Sequence, residues 1–213
     1  MLSLTFVQIC AGIALAATFA GFIVGRLRLP ASTGPIRIVA KRPPARGTQL
    51  VWVLRTLVAV FWPVGVFIVP VYAYHWPATT DFPGSWVVQI FGVVLGASGG
   101  ILYSRAARAL GRQMTPAIQV QKDHQLLQTG PYRSIRHPVY TAIISIALGQ
   151  TLFFLSPPLA LVTVLLAGLA WYRARLEETL LASPAAFGKT YEVYMARTGR
   201  FLPRLHAPSP AAP

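Results

Sequence analysis

Read from the N-terminus, the chain alternates long apolar runs with shorter polar, basic stretches. The first run, residues 4 to 25, is long enough as a helix rising ~1.5 Å per residue to cross a hydrocarbon core of about 30 Å. Arg26 and Arg28 follow it instead of preceding it, the reverse of a cleavable signal peptide, so a retained spanning helix is expected. A second run, residues 51 to 74, has Arg55 near one end and Pro63 and Pro70 inside, which predicts a snorkelling arginine and a kinked helix. A third, residues 86 to 103, carries Gly92, Gly96 and Gly100 at four-residue spacing, a smooth strip for close packing. Apolar character returns at Val139 and runs to Tyr172, broken by Ser156-Pro157-Pro158. This predicts a helical hairpin with arms of about 17 and about 14 residues. Both are short of the ~20 of a full crossing, so the hairpin either sits deep without spanning or is lengthened by flanking helix. Five membrane helices is the most economical count, and the expected fold is an all-α integral membrane protein whose last two helices form that hairpin.

The charges sharpen this topology. Lys and Arg crowd into residues 26–49, 104–137 and 173 onward, and are missing from residues 75–85 and the 156–158 turn; Arg55 alone lies within a run. One side of the bilayer therefore takes the loop-borne positive charge, and by the positive-inside rule that side is cytoplasmic, with the N-terminus outside. The expected setting is a multi-pass protein of a bacterial inner membrane.

Composition agrees. In 213 residues, 54% are hydrophobic and only 11% charged, with a mean hydropathy of +0.55, too apolar for a soluble domain of this size. A net charge of +14 would suit nucleic acid only if the cations shared a soluble face, and here they punctuate membrane segments. The lone Cys10 excludes an intrachain disulfide and a cysteine-based metal cluster, and four scattered histidines make a poor metal site. The organisation expected is a three-helix N-terminal part over 1–111, a catalytic region over 112–203 containing the hairpin 139–172, and a disordered Pro/Ala-rich end over 204–213.

The hairpin returns two polar clusters to one edge. The first, residues 121–140, includes Gly130-Pro131, a turn signal, and His137-Pro138, which sets a histidine before a helix whose first turn tolerates proline. The second, residues 173–194, holds Arg173, Arg175, Glu177 and Glu178. Taken singly, Arg133 and Arg136 read as interfacial anchors, His137 as a helix cap, and Arg173 with Glu177 as an ion pair across one helical turn. But Glu177 and Glu178 are two of only five acidic residues, and they stand at the membrane boundary, where an ionisable group is a candidate for function. Together the clusters offer cations, a histidine, carboxylates and tyrosines beneath apolar helices. That suits a zwitterionic cofactor below and a lipophilic substrate above. Dinucleotide, P-loop, HExxH and GxSxG signatures are missing.

Three stretches, VQKDHQLLQTGPYRSIRHPVY, then RARLEE, then FGKTYEVYMARTGRFLP, resemble the isoprenylcysteine carboxyl methyltransferase family of integral membrane enzymes, itself similar to the phospholipid N-methyltransferases. The resemblance spans residues 120–203. It implies S-adenosylmethionine as cofactor, held by Gln121, by His124, Gln125, Leu126 and Leu127, by Tyr132, by His137, Pro138, Val139 and Tyr140, and by Glu177, with Arg136 and Glu178 in the same pocket. It also implies that Arg173 faces the acceptor, so that Arg173 and Glu177 carry the catalytic roles. Leu126 and Leu127 suit an adenine wall, Arg136 or His137 a carboxylate, and Glu177 an ammonium or sulfonium. The chain departs from the family pattern at Thr141-Ala142, at Ala182-Ser183-Pro184 and at Thr198-Gly199. Methyl transfer to a lipophilic acceptor, an isoprenylcysteine carboxylate, thiol or lipid amine, is the expected activity. The expected partners are the bilayer and that acceptor, with no nucleic acid and no metal. The competing readings are an NADPH-dependent membrane reductase of the sterol reductase type and a small transporter or scaffold. A transport path would place polar groups mid-helix, whereas here they gather at one face.

Overall fold

The computed structural model describes residues 1–13, 16, 38–41, 80–114, 118–121 and 125–204. Helix α1 is Leu4–Ile13 and strand β1 is Ile38–Lys41. Helix α2, Ser85–Leu110, is followed by strand β2, Gln119–Gln121. Helix α3, Pro138–Phe154, and helix α4, Pro157–Leu181, form the hairpin, and α5, Lys189–Arg197, closes the described chain. Two of these, α2 and α4, are long and apolar enough to cross a membrane. The expected segment 51–74, and 4–25 beyond its first part, lie outside the described residues, as does 204–213 apart from Arg204.

The third apolar run was expected to end at 103; α2 continues to Leu110 because Arg105, Ala106, Ala107 and Arg108 are strong helix formers. It stops at Gly111, whose φ of 50° is a conformation that glycine adopts readily. The first hairpin arm has the 17 residues expected. The second is 25 residues long, since the polar stretch through Glu178 stays helical beyond Tyr172. Between the arms, Ser156 caps α4 by accepting the Leu159 N–H, and Pro157 fills the first helical position, where a missing N–H costs nothing.

The fold is mostly helical but not all-α: β1 pairs antiparallel with β2, Ala40 opposite Val120 and Lys41 opposite Gln119. Strands of four and three residues are too short for an alternating pattern to stand out from a basic loop, which is how the sequence reads there. The pairing joins the stretch after the first apolar run to the stretch after the third. At the other end, the backbone N–H and hydroxyl of Thr80 both donate to the Leu155 carbonyl. The Lys/Arg-free loops thus meet at one end of the bundle, and the basic stretches pair with each other.

Helices α2 and α3 approach backbone to backbone. A Cβ built on Gly149 would lie 2.6 Å from the Gly96 nitrogen and 2.7 Å from the Gly92 oxygen, and one on Gly99 would lie 3.0 Å from the Ala142 carbonyl. A Cβ on Gly100 would meet nothing. The positions on α2 that must lack a side chain are therefore 92 and 99; Gly96 offers its backbone to Gly149, but a Cβ on it would, like one on Gly100, meet nothing. Position 100 stands about 80° around the helix from 92, whereas 99 falls about 20° from it. Beside this contact, Val7 of α1 packs with Ala147, Phe153, Phe154, Leu159 and Leu166. The outward faces remain apolar, with Trp86, Ile90, Phe91 and Val94 exposed on α2 and Leu161, Val164 and Leu165 on α4. Such a surface matches lipid, not water.

Candidate active site

The polar ends of α3 and α4 converge. α3 enters through a short 3-10 turn, Gly130–Arg133, in which Gly130 takes φ of 58°. Two residues ahead of α3, Arg136 donates its backbone N–H to the Gly199 carbonyl, and His137 donates to the Arg200 carbonyl. The Gly199 N–H returns to Ser134, so residues 134–137 and 199–200 run side by side as a short parallel pairing. A side chain at Gly199 would run into the Leu202 carbonyl, which is why this crossing takes glycine. The Thr141 hydroxyl adds a bond to the Phe201 carbonyl at 2.8 Å.

The two adjacent glutamates then separate. Glu178 is buried, its side chain 7% exposed, against 35% for Glu177. Its Oε1 accepts from Arg136 Nε at 2.8 Å and faces His137 Nε2 at 3.2 Å. Arg200 straddles it, with Nε 3.1 Å from each oxygen and Nη2 2.6 Å from Oε2. Arg136 reaches past the carboxylate to the carbonyls of Met195, at 3.0 Å, and Thr198. Glu177 instead meets Tyr140, whose hydroxyl donates to Oε2 at 3.1 Å while accepting from Arg173 Nε at 2.6 Å. The ion pair expected between Arg173 and Glu177 is thus bridged by a phenol from the other arm. His137 Nδ1 lies 3.9 Å from Glu177, and its ring stacks near Tyr140 at 5.5 Å between centroids. Arg173 is itself buried.

Tyr132 and Tyr194 brace this base. The Tyr194 hydroxyl donates to the Tyr132 carbonyl at 2.6 Å, and Thr198 bonds back to the Tyr194 carbonyl. Burial pushes the Tyr194 phenol up to about 12, and burial with the negative charge of Glu177 pushes Tyr132 up too, so both stay neutral in ordinary buffers. The hydrogen bonds to Glu178 push the Arg200 guanidinium up in turn, keeping it charged.

Of the residues singled out from sequence, Arg136, His137, Tyr140, Arg173, Glu177 and Glu178 come together; Tyr132 and Pro138 are buried and Val139 half-buried. Arg133 and Ser134 are exposed, as a solvated rim requires. Leu126 and Leu127 are half-buried, and the backbone N–H of Gln125 donates to Gln113 just beyond α2. Gln121 is in β2, and His124 lies outside the described residues. No group of three or more His, Cys, Asp or Glu side chains suited to a metal exists among the described residues. Arg200, Thr198 and Tyr194 are not among the site residues read from sequence, where Thr198 appears only as a departure from the family pattern. A basic residue in a basic tail carries no signal of its own, and only the pairing of 199–200 with 134–137 gives Arg200 a partner.

Residues 92–183 match the family model described as the isoprenylcysteine carboxyl methyltransferase (ICMT) family. Relatives include probable protein-S-isoprenylcysteine O-methyltransferases of Oryza sativa subspecies indica and japonica, each 29% identical over 120 residues, covering 55% of this chain and 62% of theirs. Protein-S-isoprenylcysteine O-methyltransferase B of Arabidopsis thaliana is 28% identical over 131 residues, 57% of this chain and 64% of that one. The chain thus spans somewhat under two thirds of the length of these relatives. They are plant proteins, so they lend no support to a bacterial inner membrane. The structure of a eukaryotic intramembrane Ras methyltransferase, ICMT, aligns with a TM-score of 0.49 and 20% identity over 76% of this chain and 54% of that one.

Proposed function

The chain is ICMT-like over residues 92–183, and on that premise we propose that it is a membrane methyltransferase that uses S-adenosylmethionine to methylate a lipophilic acceptor of the isoprenylcysteine carboxylate kind. The observation that carries this reading is the convergence of His137, Tyr140, Arg173 and Glu177 from the two arms of the hairpin, at the polar ends of helices whose outer faces are apolar. A zwitterionic, cationic cofactor asks for both signs of charge close together, and this donor set fits it. Glu177, half-exposed, offers its carboxylate to an ammonium or sulfonium. We assign the floor to Tyr132, His137, Pro138, Val139 and Tyr140 and the wall for the base to Leu126 and Leu127. Glu178, bonded to Arg136 and Arg200, and Arg136, bonded on to the Met195 and Thr198 carbonyls, hold that floor in place.

When bound, S-adenosylmethionine supplies an electrophilic methyl group with a good leaving group, so alignment and exclusion of water matter more than a strong base. Tyr140 keeps Arg173 and Glu177 in register, each bonded to its hydroxyl. Arg173 turns its charge to an anionic acceptor, and the apolar faces of α2 and α4 admit the lipid part from the bilayer. We place the basic ends on the cytoplasmic side, with five spanning segments and the N-terminus outside; residues 1–111 shape the acceptor tunnel and 112–203 hold the chemistry.

Purified full-length protein should bind labelled S-adenosylmethionine saturably, be protected from heat by it and not by NADPH, and transfer the methyl to a prenylcysteine in a panel of thiols, carboxylates and lipid amines. Glu177→Ala should abolish the binding. Heat protection by NADPH alone would favour the reductase reading, and a wild-type protein indifferent to both cofactors would end the enzyme reading.

A further inference from the structure

Arg200 lies within the resemblance over 120–203 but beyond residues 92–183, which the family model matches, and residue 200 acts on His137 twice. Its carbonyl accepts the His137 backbone N–H at 3.0 Å, and its guanidinium grips the carboxylate that the His137 ring faces. An ionised carboxylate has about four acceptor positions. On Glu178 these meet Arg136 Nε, His137 Nε2 and the two Arg200 nitrogens, leaving it no position for a ligand. A carboxylate held between two arginines is acceptor-only, so the imidazole nitrogen facing it must carry hydrogen. In the singly protonated ring the lone pair then sits on Nδ1, the atom turned toward Glu177 at 3.9 Å. The Phe201 ring, 6.1 Å from the imidazole between centroids, limits rotation out of this position.

We propose that Arg200 is a positioning residue for this site. Through Glu178 it holds His137 in the Nε2–H tautomer, with Nδ1 presented to the Glu177 side, and it touches neither cofactor nor acceptor. Arginine is required because its planar fork spans both carboxylate oxygens, whereas lysine offers a point charge. The inference rests on the methyltransferase reading for its consequence in binding, but not for its geometry.

The test therefore has two arms on the full chain in detergent. In the first, nitrogen NMR of histidine-labelled protein without any cofactor, with His137 assigned by difference against His137→Gln and read in the neutral form of the ring, should show protonated Nε2 and bare Nδ1. Arg200→Ala should convert that signal to an averaged one, and Arg200→Lys should restore part of it. If Arg200→Ala does not fold, Arg200→Lys is read alone and should give an intermediate signal. An unchanged tautomer in whichever variant folds would falsify the proposal, even if the melting temperature falls. In the second arm, Arg200→Ala should weaken S-adenosylmethionine binding on the order of tenfold, the size expected where a side chain acts through another. In a His137→Gln background the same change should cost little. Additive losses in the two backgrounds would mean that Arg200 acts on the ligand directly, and would overturn the proposal. A wild-type protein that binds no S-adenosylmethionine ends the methyltransferase reading and leaves the first arm to decide on Arg200.

Discussion

Where α2 meets α3 the chain has removed side chains; where α3 meets α4 at their polar ends it has crowded charged ones together. At the first contact Gly92, Gly99 and Gly149 let two backbones touch. Between helices in lipid there is little hydrophobic gain from burial, so contact of this kind depends on dispersion across a tight fit. At the second, Arg136, Arg200 and His137 surround one buried carboxylate. The glycine contact can fail by gaining a few atoms, and the charge cluster by losing one group. The cluster is the more fragile, because a buried charge stripped of its partner has no water to turn to.

That contrast is broken most severely at Glu178. Glu178→Ala leaves Arg136 and Arg200 facing each other across a gap, and loss of one partner from a buried ionic group costs about 3–5 kcal/mol. Thermal unfolding in detergent should show a drop of about 6–20 °C, on a scale of about 2–4 °C per kcal/mol for a chain this long. Glu178→Gln, which keeps the shape and loses the charge, should recover only part. If both variants melt like wild type, the cluster is not what holds the hairpin base.

Gly149→Ala comes next. The added methyl meets backbone atoms of Gly92 and Gly96 that cannot rotate away, and overpacking of this kind costs about 1–3 kcal/mol. Alanine's better helix propensity returns up to about 1 kcal/mol, so a net loss is expected. Gly100→Ala, with open space around it, has only the propensity gain and should melt no lower than wild type. Equal behaviour of the two variants would place the helix contact elsewhere.

A smaller effect lies toward the hairpin turn, at the buried hydroxyl pair of Thr151 on α3 and Thr163 on α4, 2.8 Å apart. Thr163→Val keeps the shape and removes the bond, and interhelical hydrogen bonds within membranes average about 0.6 kcal/mol. The expected change in melting is only about 1–3 °C. A loss as large as that of Glu178→Ala would mean that the hairpin is held along its length, not at its base.

The two regions also differ in how far they could be read from residues. The glycine strip shows in sequence because helical periodicity is local, and reading 96 and 100 where the close approach falls at 99 came from counting in fours where a helix turns every 3.6 residues. The hairpin shows because Ser156-Pro157-Pro158 stops one helix and starts another. The residues of the cluster were visible as scarce acids and a histidine at a membrane edge, but their division of labour was not. Glu177 and Glu178 are neighbours, yet they point to different partners, one to Tyr140 and one to Arg136, the latter 42 residues away. Arg200 is hidden for the same reason, since its role depends on a parallel pairing of two irregular segments that no period announces.

The smallest expected effect is at Arg133, which shares a turn with Tyr132 and stands three residues before Arg136. Arg136 lies inside the cluster with its guanidinium bonded to Glu178 and to the carbonyls of Met195 and Thr198, whereas Arg133 is exposed to solvent. Exposed substitutions away from caps, cavities and networks fall within about 0.5 kcal/mol. Arg133→Ala should therefore leave the melting temperature and S-adenosylmethionine binding within error of wild type. Arg136→Ala should lower both, because it exposes one side of Glu178 and frees residues 195–198. If the two arginines matter equally, then the basic edge acts as a membrane anchor, and the case for a site built around His137 loses its main contrast.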